Sequence, residues 1–268
     1  MKVKNKVVVV TGGGNGIGRE LVLALLSRGA RVAAVDIHAS ALEETLALAG
    51  RNREGLATHT VDVTDRAAVD ALPAAVISRF GAVDGVINNA GVIQPFVRLK
   101  DLDYAAIDRV MNVNLFGTLY MTKAFLPHLL ARPEAHIANV SSMGGFLPVP
   151  GQTIYGAAKA AVKLLTEGLS SELLGTNVKV TIIFPGAIGT NIAVNSGVMD
   201  SLQMKPGDPS PKMLPPAKAA RIILEGIERD RYRVLVGPDA MFMDAIYRLD
   251  PRRAARFIYK QMSGLLPK

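Results

Sequence analysis

Tyr155 and Lys159 stand four residues apart in the segment Tyr155-Gly156-Ala157-Ala158-Lys159. On a helix of about 3.6 residues per turn, that spacing brings both side chains to one face. A phenol beside a held ammonium is a proton donor, and the nearby positive charge favours its ionised form. Such a pair could protonate a carbonyl oxygen during reduction or accept a proton from an alcohol during oxidation. Spacing alone does not separate this chemistry from a solvated surface pair, so the surrounding chain has to decide. Metal chemistry is not expected, because His38, His59, His128 and His136 lack ligand spacing and there is no cysteine.

The elements that must position the pair alternate along the chain. Short apolar runs at residues 6–11, 31–36, 56–61, 83–88, 135–141, 178–184 and 232–236 read as strands. Helical periodicity occupies residues 16–28, 39–49, 67–79, a long stretch at 104–130, then 154–174 and 217–229. This alternation predicts an α/β fold, a doubly wound (Rossmann) sheet with helices on both faces and ligands at the carboxyl ends of the strands. Residues 1–237 form one catalytic domain on this reading. Within it residues 191–216 form a loop rich in Pro and Met, and residues 238–268 form a helical extension broken at Pro251.

Between the first strand and first helix lies Thr11-Gly12-Gly13-Gly14-Asn15-Gly16-Ile17-Gly18. Glycines there let the backbone turn tightly and approach a pyrophosphate, while the helix N-terminus offers free N–H groups and positive potential. Asp36 ends the second strand, eighteen residues after Gly18. A carboxylate at that point can accept the adenosine ribose hydroxyls and would repel a 2′-phosphate. With Ile37 and His38 following it, and neutral Asn15 in the turn, NAD is expected over NADP.

Together these residues resemble the short-chain dehydrogenase/reductase family, in its shorter, non-extended branch, from about residue 6 to residue 236. The resemblance implies a mostly parallel seven-stranded sheet in the order 3-2-1-4-5-6-7. It also implies roles for specific residues. Gly12, Asn15, Gly16, Ile17 and Gly18 would form the phosphate turn, and Asp62 and Val63 the adenine-contacting pair. Asn88-Asn89-Ala90-Gly91 would support the sheet and border the cofactor ribose. Pro185, Gly186, Ile188 and Thr190 would bind the nicotinamide carboxamide. Asn114, Ser142, Tyr155 and Lys159 match the catalytic set. Tyr155 would exchange the proton, Lys159 would lower its pKa and bind the nicotinamide ribose, and Ser142 would hold the substrate oxygen. Asn114 would hold a water that relays protons from Lys159. Ser141 is expected to support the backbone only. The resemblance further implies a homodimer or homotetramer built on the two long helices, whose Met111, Met121 and Phe125 suit a core or an interface.

The net charge of +8 is concentrated late in the chain: twelve basic and six acidic residues follow residue 209. The last thirty or so residues exceed the family pattern and mix apolar side chains with Arg248, Arg252, Arg253, Arg256 and Lys260. Such a segment can cover the cleft, pack on a subunit or touch a membrane surface peripherally. No apolar stretch approaches the ~20 residues of a bilayer span, and a cytoplasmic location is the expectation. The Met-rich loop (Met199, Met204) and neutral Met143, Phe146, Val149 and Gln152 near Tyr155 point to a lipophilic secondary alcohol or ketone, steroid-like or long-chain. The alternatives are a 3-oxoacyl-thioester reductase of the same family, which Asp36 and the long tail disfavour, and a non-enzymatic nucleotide sensor. A nucleic-acid binder is not expected, since the tail lacks aromatic interleaving and a recognition-helix motif.

Overall fold

The four valines of β1 (Val7–Thr11) explain why the sheet is covered on both sides. Side chains alternate along a strand, so Val8 and Val10 enter one apolar layer and Val7 and Val9 the other. The computed structural model describes residues 1–198 and 213–266. Within them β2 (Arg31–Asp36), β3 (Leu56–Thr60), β4 (Gly85–Asn88), β5 (Ala135–Val140), β6 (Val178–Pro185) and β7 (Arg233–Val236) join β1 in a seven-stranded sheet. The order is β3-β2-β1-β4-β5-β6-β7, as expected, and every pairing is parallel.

One face is packed by α1 (Gly16–Ser27) and α8 (Pro216–Glu228), through Leu21, Leu25, Ile223 and Leu224. The other is packed by α3 (Arg66–Phe80) and α5 (Thr118–Leu130), through Val69, Val76, Met121 and Phe125. Met121 and Phe125 are therefore core residues. Between strands and helices the remaining elements are α2 (Ala39–Leu48), α4 (Tyr104–Met111), α6 (Thr153–Glu172) and the short α7 (Ile192–Asn195). Beneath the carboxyl ends of β4 and β5, Asn88 donates to Asn139 Oδ1 (2.8 Å) and Thr122 Oγ1 (3.1 Å), and Asn139 donates to Thr166 Oγ1 (2.9 Å). This buried network ties both strands to α5 and α6, and therefore fixes the floor of the site.

The single helix expected over residues 104–130 is interrupted. A π turn at Asn112–Gly117 separates α4 from α5. Thr118 Oγ1 takes up the Asn114 carbonyl (2.8 Å), and a Cβ at Gly117 would lie 2.7 Å from Val63 Cγ2. Wide turns of this kind are frequent at functional sites, and here the turn carries Asn114. The tail splits at Pro251 into α9 (Pro238–Leu249) and α10 (Pro251–Met262), with Asp250 Oδ1 capping α10 by accepting from the Arg253 N–H (2.9 Å). Met243, Ala254 and Ile258 pack on Leu147, and Asp244 accepts two bonds from Arg233 of β7 (2.6 and 2.9 Å). The extension is thus fastened to its own chain by apolar contact and an ion pair together.

Candidate active site

A single cleft of about 1600 Å³ runs along the carboxyl ends of the strands. That exceeds the ~300–1,000 Å³ of a typical small-ligand pocket and leaves room for a dinucleotide and a second molecule. The first stretch is a track for the dinucleotide. Gly12 and Gly16 hold left-handed backbone (φ 66° and 52°), and a Cβ at Gly18 would lie 1.9 Å from the Gly12 carbonyl oxygen. No side chain fits there. Asn15 Oδ1 accepts from the Gly16 N–H (2.7 Å) at the start of α1, leaving the later N–H groups of that turn toward the cleft. Thr11 Oγ1 accepts from the N–H groups of Asn89 and Ala90 (2.9 and 3.0 Å), which locks the Asn88-to-Gly91 segment beside the turn.

At the far end of the track, Asp36 Oδ2 accepts from the Gly14 N–H (3.0 Å) and Oδ1 from the His38 N–H (3.1 Å). Arg19, which donates to the carbonyl of the same Gly14 (2.8 Å), is paired with Glu44 (2.6 Å). Asp62 is turned in by Thr64, whose N–H and hydroxyl both reach Oδ1 (2.8 Å each). Gly12, Asn15, Gly16, Ile17, Asp36, Asp62, Val63, Asn89, Ala90, Gly91, Pro185, Gly186, Ile188 and Thr190 all line the cleft. These residues fit a nicotinamide dinucleotide: glycines where the phosphates need close approach, a carboxylate at the ribose end and a backbone strap at Pro185–Thr190. Gly18 departs from the expectation, for it lies behind the turn and permits its closure without lining the cleft.

The expected catalytic side chains sit midway. Tyr155 and Lys159 of α6 face Ser142 of the turn after β5, and all three border the cleft. Lys159 Nζ donates to the Val140 carbonyl (3.0 Å) and lies 6.0 Å from the centre of the Tyr155 ring. Burial without a carboxylate partner pulls the Lys159 pKa down to about 8. Burial also pushes the Tyr155 phenol up, with the neighbouring Ser142 hydroxyl drawing it partly back. Burial thus works against the acidified phenol expected from the sequence, and the Ser142 hydroxyl is the group that offsets it in part. Ser142 Oγ accepts from the Gly144 N–H (3.0 Å), and Ser141 donates to the Lys159 carbonyl (2.7 Å), a backbone support as expected.

Asn114 stands next to this group. It is fully buried and outside the cleft lining, with Oδ1 accepting from the Val92 N–H (3.0 Å) and Nδ2 donating to the Val92 carbonyl (2.9 Å). Both ends of its amide are used to clamp the loop after β4. A Cβ at Gly91 would lie 2.9 Å from Asn114 Oδ1 and 3.2 Å from Lys159 Nζ, so Asn114 and Lys159 converge where only glycine leaves space.

The second stretch of the cleft is mainly apolar, although Arg109 and Gln261 also belong to the lining. Met143, Val149 and Gln152 line it as expected, whereas Phe146 does not. Its ring stacks edge-on to Phe184 (5.5 Å), near Tyr247 (5.9 Å) and Arg233, inside the packing beneath the tail. Met199 and Met204 lie outside the described residues. The roof comes from the tail: Phe242, Met243, Phe257, Ile258, Met262 and Leu265 all line the cleft, facing Phe96 and Val149.

Two residues passed over by the sequence reading matter here. Gln94, fully buried, accepts through Oε1 from the N–H groups of Ile154 (2.8 Å) and Tyr155 (2.9 Å), and its carbonyl accepts from Gln152 Nε2 (2.8 Å). It caps α6 and so places Tyr155; nothing local in the sequence marks it, since the pairing spans about sixty residues. Asp239 Oδ2 accepts from the Ala187 N–H (2.6 Å) and its carboxylate covers Gly186, joining the tail to the segment after β6. The run Gly237-Pro238-Asp239, a helix start with an acid in its first turn, was a legible signal for that contact.

The profile of the short chain dehydrogenase family matches residues 6–200. The chain belongs to that family. An oxidoreductase-named protein of Mycobacterium tuberculosis, SadH, is 37% identical over 270 residues, covering 98% of each chain. A short-chain dehydrogenase/reductase from Burkholderia phymatum, solved in complex with NAD, superimposes with a TM-score of 0.84 at 27% identity, over 94% of this chain and 96% of that one. A short-chain dehydrogenase from Burkholderia cenocepacia in complex with NADP gives 0.80 at 28% identity, over 96% and 99%. The similarity to SadH extends through the tail, which the family profile does not reach.

Proposed function

We propose that this short-chain dehydrogenase moves a hydride between NAD(H) and a lipophilic secondary alcohol or ketone, with Tyr155 as acid and base. The observation that carries the reading is the continuity of one cleft, from a dinucleotide track through the Tyr155 hydroxyl to a chamber roofed by Phe242, Met243, Ile258, Met262 and Leu265. When bound, the nicotinamide supplies or accepts the hydride. The chain's own residues handle the proton. In oxidation Tyr155 takes the alcohol proton, and in reduction it returns one to the carbonyl oxygen. Ser142 donates to that oxygen as negative charge develops on it. Lys159, charged at neutral pH, favours the phenolate electrostatically, and Gln94 fixes the start of the helix carrying both.

NAD is preferred on this reading because Asp36 stands at the ribose end and Arg19 is already neutralised by Glu44. The chamber presents mainly apolar walls, which a steroid-like or long-chain substrate would fill more favourably than a sugar, at roughly 25 cal/mol for each Å² of apolar surface buried. We further propose a homo-oligomer formed through α5 and α6. The outer face of α6 shows Ala157, Ala160, Gly168 and a 68% exposed Leu164, with the exposed Phe116 nearby in sequence to Tyr120 on the adjoining helix.

The test is a nicotinamide-coupled screen over alcohols and ketones of graded size and polarity, run with NAD and with NADP. Turnover should rise with substrate hydrophobicity and be at least tenfold higher in kcat/KM with NAD, on the order of 1.4 kcal/mol of discrimination. Activity on sugars alone would remove the lipophilic assignment. A marked preference for a 3-oxoacyl thioester would move the chain to the carrier-linked reductase reading.

A further inference from the structure

The outer surface of the tail has a composition that the chemistry of the cleft does not use. On α9, Met241, Phe242, Ala245 and Leu249 recur at helical spacing on one exposed face, with Met241 60% and Leu249 87% open to solvent. On α10 the buried positions Ala254 and Ile258 face the core, and Arg252, Arg253, Arg256 and Lys260 lie on the opposite, exposed side. The two faces adjoin, since the Phe242 and Phe257 rings meet at 6.1 Å across the helix pair. Both rings also line the roof of the cleft.

The charge on this surface is of one sign. Its three carboxylates are all committed: Asp239 to the Ala187 N–H, Asp244 to Arg233 and Arg248, and Asp250 to Arg253. Among the described residues, Arg252, Arg256 and Lys260 have no acidic partner. A second copy docking by the same face would bring these cations against their own like. An anionic interface would instead meet the arginines and lysine while accepting the apolar stripe of α9.

We propose that the α9–α10 face docks on an anionic lipid surface, with Met241 and Leu249 entering the headgroup boundary and the roof of the cleft set against it. A lipophilic substrate would then pass between bilayer and chamber without crossing bulk water. The lipophilic-substrate reading gives this docking its purpose, but the docking stands on the surface itself and is tested without substrate.

The test is sedimentation of the full-length protein with vesicles of phosphatidylcholine alone and of phosphatidylcholine mixed with phosphatidylglycerol. Binding should require phosphatidylglycerol and weaken as salt is raised. Each basic residue near such a surface contributes on the order of fivefold in partitioning (about 1 kcal/mol), so Arg252→Gln/Arg256→Gln/Lys260→Gln should lose about a hundredfold. Met241→Ser/Leu249→Ser should also lose binding while NADH titration by fluorescence stays within about twofold of wild type, as a check on folding. Three results would each overturn the proposal: no pelleting with the mixed vesicles, equal pelleting with neutral ones, or binding by the triple variant at the wild-type level. A shift from oligomer to monomer in the Met241→Ser/Leu249→Ser variant, without vesicle binding in either form, would reassign the face to self-association. Failure here would leave the dehydrogenase assignment standing, because no step of the assay depends on turnover.

Discussion

Burial takes Lys159 down to about 8, so its charge changes within the pH range in which alcohol oxidation is ordinarily followed. Below that value the ammonium is present and can bind ribose hydroxyls and favour phenolate; above it both contributions fade. Its folded pKa lies below the ordinary 10.5, so the unfolded chain holds the proton more tightly and this group's contribution to folding stability grows as pH rises from about 8 towards 10.5. Binding and stability should therefore respond to pH in opposite directions. We predict that NADH affinity, measured by fluorescence titration, declines as pH rises through about 8, and that Lys159→Met flattens the decline; superimposable profiles would take Lys159 out of the ribose site. At this scale the sequence was informative where a residue type is tied to a local task. Ser141 takes up the backbone task expected of it by donating to the Lys159 carbonyl. Phe146 was misplaced because what its side chain touches, Phe184, is set by the folded chain, and the clamp of Asn114 on Val92 was illegible for the same reason.

The strands and most helices could be read from apolar periodicity because each buries a definite face, and their ends shifted by only a residue or two. The π turn at Asn112–Gly117 could not be read that way: apolar residues continue through it, and the close approach of Val63 to Gly117 comes from another element. The start of α6 shows the same limit. Its first N–H groups are satisfied by Gln94, far away in sequence, rather than by a local cap. Gln94→Leu would leave two partly buried N–H groups without an acceptor, at a cost of about 1–3 kcal/mol. We expect thermal unfolding to move down by several degrees, at roughly 2–4 °C per kcal/mol for a chain of this size. Because α6 carries Tyr155, kcat should fall more than tenfold with a smaller change in KM for NAD. An unchanged melting temperature and unchanged kcat together would remove Gln94 as the residue that places the catalytic helix.

For the molecule as a whole, the tail shows how much a sequence can announce and still leave open. Pro251, the basic residues and the apolar spacing gave two amphipathic helices, but the choice of what they cover required the positions of Leu147, Met143 and Val149. Assembly belongs to this scale too. Light scattering should return a multiple of the 28.5 kDa subunit, and Leu164→Arg should shift the mass towards that of one chain; a monomeric wild type would remove α5 and α6 as the interface. Everything else in the account depends on the cleft working as one redox site whose proton passes through Tyr155. The most direct measurement compares NADH formation by the wild type and by Tyr155→Phe on the best alcohol of the screen, with NADH binding measured on the same samples. The phenylalanine keeps the ring and loses only the hydroxyl, so kcat should fall by about 10²–10⁴-fold while NADH affinity stays within about twofold. Turnover by Tyr155→Phe at the wild-type rate would contradict the assignment.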